Sequence, residues 1–121
     1  MQYLLLIYDD ERAWGARSAD ERGAMMQEYL AYGASLREAG AYVDGNALAD
    51  TTEASTVSVR DGEELVTDGP YAETKEQLGG YYIIDCDTIE EAREWAARIP
   101  SARFGSVEIR PIVSVPAEAT A

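Results

Sequence analysis

Two segments of the chain are apolar at nearly every position instead of alternating. Tyr3-Leu4-Leu5-Leu6-Ile7-Tyr8 stops at Asp9-Asp10, and Tyr81-Tyr82-Ile83-Ile84 runs into Asp85-Cys86. Runs this short, without helical spacing, read as strands buried on both faces. Ser55 to Arg60 alternates, which predicts a half-buried strand with Val57 and Val59 on the core side. Asp61-Gly62 is a strong hairpin signal, and Glu63-Glu64-Leu65-Val66 returns as its partner in a register the pattern leaves open. Ala41 to Leu48 is a weaker strand, interrupted by Asp44-Gly45-Asn46, and Ser106 to Arg110 alternates as the last one.

Two helices lie between these strands. Ser18-Ala19-Asp20-Glu21 has the form of a capping box, in which the hydroxyl and the carboxylate each accept from the other residue's backbone N–H. Behind it Met25, Tyr29, Tyr32, Leu36 and Ala39 recur at helical spacing, and Gly40 is placed to end the helix in a left-handed conformation. The second helix is capped by Asp87 or Thr88 with Glu90 or Glu91 as reciprocal partner. Ile89, Ala92, Ala96 and Ile99 form its buried stripe, Trp95 lies at the edge, and Pro100 marks the end. Glu11 to Ala19, with Trp14 inside it, reads as a polar connection.

The order strand, helix, three strands, helix, strand predicts an α+β domain, a mostly antiparallel sheet with helices as crossovers. Right-handed crossovers place both helices on one face. The two doubly apolar strands then need cover on the other face, and no segment remains to supply it. A second copy of the chain would, so a homodimer through the helix-free face is expected.

Length and composition narrow the function. The 121 residues suit one domain, residues 1–113, followed by a small polar tail, 114–121, that reads as disordered. Ten basic against twenty-three acidic residues give a net charge of −13, which disfavours nucleic acid and anionic membranes and is most simply a solubility device. No apolar stretch approaches the roughly twenty residues of a membrane span. The apolar start has no basic leader, and Cys86 is the lone cysteine, so a reducing, cytoplasmic setting is expected.

The chain has no histidine. That removes Ser–His and Cys–His nucleophilic pairs, imidazole acid–base work and most zinc or iron sites, so no cofactor and no transition metal is expected. Cys86 lies between Asp85 and Asp87, which disfavour a thiolate, and reads as an inert thiol. The eight tyrosines fall mostly in apolar patterns, as wall and core, although an aromatic wall also suits a planar organic ligand. Trp14 could cover a cleft or simply pack.

The informative stretch is Asp68 to Gly80. Asp68-Gly69-Pro70 makes a stiff turn, and Gly79-Gly80 predicts a bulge or a close backbone approach as the next strand begins. A loop this long in a small domain is a binding or surface loop. The plain alternative is that Asp68 caps local N–H groups and the rest is solvated.

The motif Thr67-Asp68-Gly69-Pro70-Tyr71-Ala72-Glu73-Thr74-Lys75-Glu76-Gln77-Leu78-Gly79-Gly80-Tyr81-Tyr82 resembles the signature of the DGPF branch of the YCII-related proteins, with Tyr71 where the branch has phenylalanine. The opening strand, Ala92 to Pro100 and Gly105 to Pro111 are similar to it as well. The resemblance covers about residues 1–113. It implies a ferredoxin-like fold, two copies of which pair as a dimeric α+β barrel, with a cleft near the dimer interface. It also implies bacterial relatives associated with extracytoplasmic-function sigma factors. A His–Asp pair is proposed for some relatives, and a dehalogenating lyase belongs to the wider group, but this chain has no histidine to carry such a pair.

The first reading is a small organic ligand held in a cleft near the dimer interface by Asp68, Tyr71, Glu73 and Tyr82. Any chemistry would be lyase-like proton transfer, with Asp68 as a partly buried base and Tyr71 beside it. The alternatives are a non-enzymatic regulatory module contacting a sigma-factor system, and, more weakly, a cofactor-free monooxygenase.

Overall fold

The computed structural model describes residues 1–115; the greater part of the expected tail, residues 116–121, lies outside them. Four strands, β1 (Gln2–Asp9), β2 (Tyr42–Ala47), β5 (Gln77–Asp85) and β6 (Ser106–Pro111), form one sheet in the order β2-β5-β1-β6. All three pairings are antiparallel, as the sequence implies for the α+β class. The long helix α2 (Ala19–Glu38) connects β1 to β2, and α3 (Ile89–Ala97) connects β5 to β6. Each crossover skips one strand, and both helices cover the same face.

The core lies between that face and the helices. Tyr3, Leu5, Ile7 and Ile84 project from the sheet against Tyr32 and Leu36 of α2 and Ala92 and Ala96 of α3. Register explains the selection: Tyr3 pairs with Ile84 and Leu5 with Tyr82, and directly opposed residues share a face. Leu4, Leu6, Tyr8, Tyr81 and Ile83 therefore point to the helix-free side, where they are only half-buried. Arg110 and Glu108 edge this surface as an ion pair at 2.6 Å.

The caps are those expected. Ser18 Oγ accepts from Glu21 N at 3.1 Å and Glu21 accepts from Ser18 N at 3.2 Å. Thr88, not Asp87, caps α3, accepting from Glu91 N at 3.2 Å. Gly40 ends α2 at φ 71°.

Three expectations need correction. Glu11 to Ala16 is not a connection but a short helix, α1, capped by Asp10, whose carboxylate accepts from Arg12 N at 2.9 Å. Val57 and Val59 are not in the core. They are 58% and 61% exposed, because β3 (Ser55–Arg60) and β4 (Glu63–Asp68) pair only with each other and their valine face is uncovered. Finally, the segment between hairpin and sheet is shorter than Asp68 to Gly80, since β4 includes Asp68 and β5 begins at Gln77. Asp61 and Gly62, at φ 52° and 79°, form the tight turn and set the missing register, with Arg60 opposite Glu63. The bulge expected near Gly79 is present: Ile7 pairs with Gly80 and Tyr8 with Leu78, leaving Gly79 as the extra residue.

Candidate functional site

The cleft of the domain opens where β1 hands the chain to α1. Asp10 turns the backbone out of the strand, its negative charge suits the helix N-terminus, and α1 places Trp14 in the lining of this cleft. Glu11 ties this corner down: its N–H donates to Gln77 Oε1 at 3.1 Å, and its carboxylate accepts from Thr51 N at 3.1 Å and from the Thr51 hydroxyl. Between α1, α2, the Asn46–Asp50 segment and the start of β5 lies a cavity of about 350 Å³. That volume falls within the roughly 300–1,000 Å³ of small-molecule sites. Its apolar walls are Ile7, Trp14, Met26, Tyr29, Leu48 and Tyr82.

The phenols of this region are held neutral. Tyr29 Oη and Ser101 Oγ lie 2.6 Å apart, and Ser101 is the buried polar side chain among the described residues. Burial pushes the Tyr29 pKa up against the opposing Ser101 bonds. Burial likewise pushes Tyr82 up to about 12. Tyr82 packs edge-on to Tyr32 at 5.2 Å, and Tyr32, whose hydroxyl donates to Trp95 O at 2.8 Å, is also raised by burial. Phenols so shifted donate hydrogen bonds at neutral pH; they do not serve as bases.

Of the four residues expected to hold the ligand, Asp68, Tyr71, Glu73 and Tyr82, only Tyr82 lines this cavity, and Trp14, read as a possible cleft cover, lines it as well. Asp68 ends β4, and Tyr71 and Glu73 follow it on the surface; all three are exposed, Tyr71 at 92%. The Gly69 turn, at φ 114°, is anchored by Gly69 N donating to Ala54 O at 2.7 Å and Thr56 Oγ1 donating to Gly69 O at 2.9 Å. Within one chain the structure does not bring Asp68, Tyr71 and Glu73 to Tyr82. Cys86 is half-buried, and burial followed by Glu91 pushes its thiol pKa up.

Sequence reasoning missed Asp9, Met26, Leu48, Asp50 and Ser101 as cleft residues. The available signal was Asp10-Glu11 before Trp14, a helix start too short to show a period. Among the described residues no cluster of three or more Asp, Glu or Cys could hold a metal ion, and no helix is long and apolar enough to cross a membrane. A second, more open depression of about 310 Å³ lies between α2 and the turn after α3, where Arg103 pairs with Glu28 at 2.8 Å.

Comparison with known proteins matches the sequence of this chain to one family along almost its whole length. A protein of Rhizobium meliloti (strain 1021), described as uncharacterized, is 40% identical over 114 residues, covering 93% of this chain and 92% of its own. The profile of the YCII-related domain matches residues 1–116. The chain belongs to the YCII-related domain family.

Proposed function

We propose that this protein is a cytoplasmic binder of a small organic molecule, held in the cleft between α1, α2 and the start of β5. The observation that carries the reading is the cavity of about 350 Å³ whose lining combines aromatic and aliphatic side chains with acidic and amide groups. The same reading takes the strand order as a ferredoxin-like unit that pairs through its helix-free face into a barrel-like dimer. Any turnover would be lyase-like, a carboxylate taking a proton while a neutral phenol steadies the developing charge. A role for Asp68 as base, with Tyr71 and Glu73 beside it, requires pairing to bring the loop of one protomer to a cleft, since all three are exposed in the single chain.

A fragment screen by thermal shift tests the cleft. A binder at 100 times its Kd raises stability by about 2.7 kcal/mol. Leu48→Trp, at a half-exposed position on the rim, should fill the cleft and abolish the shift while the protein still melts cooperatively. Fragments that shift both proteins equally bind elsewhere and would refute the reading.

A second reading is a non-enzymatic module in an extracytoplasmic-function sigma-factor system. It is favoured by the solvent-exposed Tyr71 and by the uncovered valines of the β3–β4 hairpin, which suit a protein partner better than a small ligand.

A further inference from the structure

Resting on the reading of the cleft as a binding site, we propose that its ligand is cationic: an aromatic or similarly apolar body carrying an ammonium group. The polar part of the cavity lining contains Asp9, Asp10, Glu11 and Asp50 and neither lysine nor arginine. Two of these acids are committed to the fold. Asp10 caps α1, and Glu11 is pinned by both donors of Thr51. The other two are not. Asp9 accepts from Asp10 N through Oδ1 at 2.8 Å, and among the described residues its Oδ2 has no hydrogen-bond partner. Asp50 begins a short helical turn without using its side chain as a cap.

The walls favour the same sign of charge. Trp14 and Tyr29 line the cavity, and aromatic rings attract ammonium groups over their faces. An anionic ligand would meet no lysine or arginine in the lining. Arg17 stacks on two rings, its Cζ 5.6 Å from the Trp14 ring centre and 4.7 Å from that of Phe104, and its Nη1 is buried without a hydrogen-bond partner among the described residues. It does not line the cavity. The Tyr29 and Ser101 hydroxyls share one hydrogen bond. A bare metal ion is disfavoured because no three carboxylates converge among the described residues. The net charge of −13 draws cations toward the molecule as a whole.

Three probes of similar size separate the possibilities: 2-phenylethylamine, 2-phenylethanol and 3-phenylpropionate, titrated calorimetrically into the whole chain. The amine should bind about tenfold or more tightly than the alcohol, the carboxylate should not bind, and added salt should weaken the amine alone. Asp9→Asn and Asp50→Asn should each weaken the amine severalfold and leave the alcohol unchanged, with melting temperatures near wild type. Alcohol or carboxylate binding as tightly as the amine, in a manner abolished by Leu48→Trp, would overturn the charge preference and leave the cleft standing. Binding of all three that is indifferent to Leu48→Trp, or no binding by any of them, would overturn both.

Discussion

Two glycines are fixed by what lies against them, and one of them shapes the cleft. A Cβ on Gly45 would stand 2.6 Å from Tyr82 Cδ1, so the bare backbone of β2 is what lets that ring lie across it as a wall. A Cβ on Gly105 would stand 2.0 Å from the carbonyl oxygen of Tyr8, a backbone atom that cannot turn aside. Gly105→Ala is therefore expected to cost about 3 kcal/mol in urea unfolding, the upper end for overpacking. Gly45→Ala should cost less, because a ring can rotate away, but should weaken ligands that touch Tyr82. Unchanged unfolding for Gly105→Ala would mean that the turn before β6 can yield. The phenols make a separate forecast. A tyrosine raised in the folded state keeps its proton at a pH where the unfolded chain has lost it. The phenols' contribution to stability is then flat below pH 10 and falls above it, through the window up to about 12 that Tyr82 defines. Each such phenol contributes at most about 1.4 kcal/mol per pH unit, and the half-exposed Tyr82 less. Denaturant melts between pH 8 and 12 should show the decline steepen near 10, and the absence of that steepening up to 12 would contradict the burial assigned to Tyr29, Tyr32 and Tyr82.

At the scale of elements, α1 decides whether there is a cleft at all. Its six residues make too few internal bonds to stand alone, and the Asp10 cap and the Glu11–Thr51 tie compensate. The N–H of Arg12 holds the Asp10 carboxyl below its ordinary pKa, so this stabilisation is present above that range and is lost as pH falls through the depressed value. Asp10→Ala should lower stability and loosen Trp14, read as a red shift of its emission with α2 and the sheet unchanged. An unshifted emission would show that packing alone positions Trp14. This helix was not legible in the sequence, because one turn and a half gives no periodicity and only the Asp10-Glu11 start marks it. The elements that were legible owe it to long-range regularity or to turn chemistry. The Ser18–Glu21 box with its Met25, Tyr32, Leu36 spacing, the Thr88 cap, the Asp61-Gly62 turn and the Gly79 bulge are all carried by local sequence. The burial of β3 was not, because alternation states that two faces differ and does not say which one is covered. The cleft was half legible for the same reason. Tyr82 follows from its strand, whereas Asp9, Leu48 and Asp50 meet only through the register of β2 on β5.

At the scale of the whole molecule, the sheet has one face closed by helices and one that is not. Leu4, Leu6, Tyr8, Tyr81 and Ile83 lie on the second, edged by the Arg110–Glu108 pair, and the β3–β4 hairpin leaves Val57, Val59 and Val66 more than half exposed. A lone two-stranded hairpin is marginal in water, so its valine face also has reason to seek cover. A two-fold pairing of sheets would cover the first surface and bring each hairpin near the partner. Register separates pairing from folding residue by residue. Leu5 is fully buried against the helices, whereas Ile83, opposite Leu4, faces the helix-free side. Leu5→Glu should therefore abolish the folded state, since an unpaired charge would enter the core. Ile83→Lys should leave a folded protein with near-native helix content and weaken pairing by about a hundredfold or more, because a central interface position would have to bury an ammonium group. Sedimentation equilibrium at micromolar concentration should show a dimer for wild type and a monomer for Ile83→Lys. If wild type sediments as a monomer, or if Ile83→Lys remains a dimer, the association does not run through this face. The apolar strip on β1 and β5 would then need another partner.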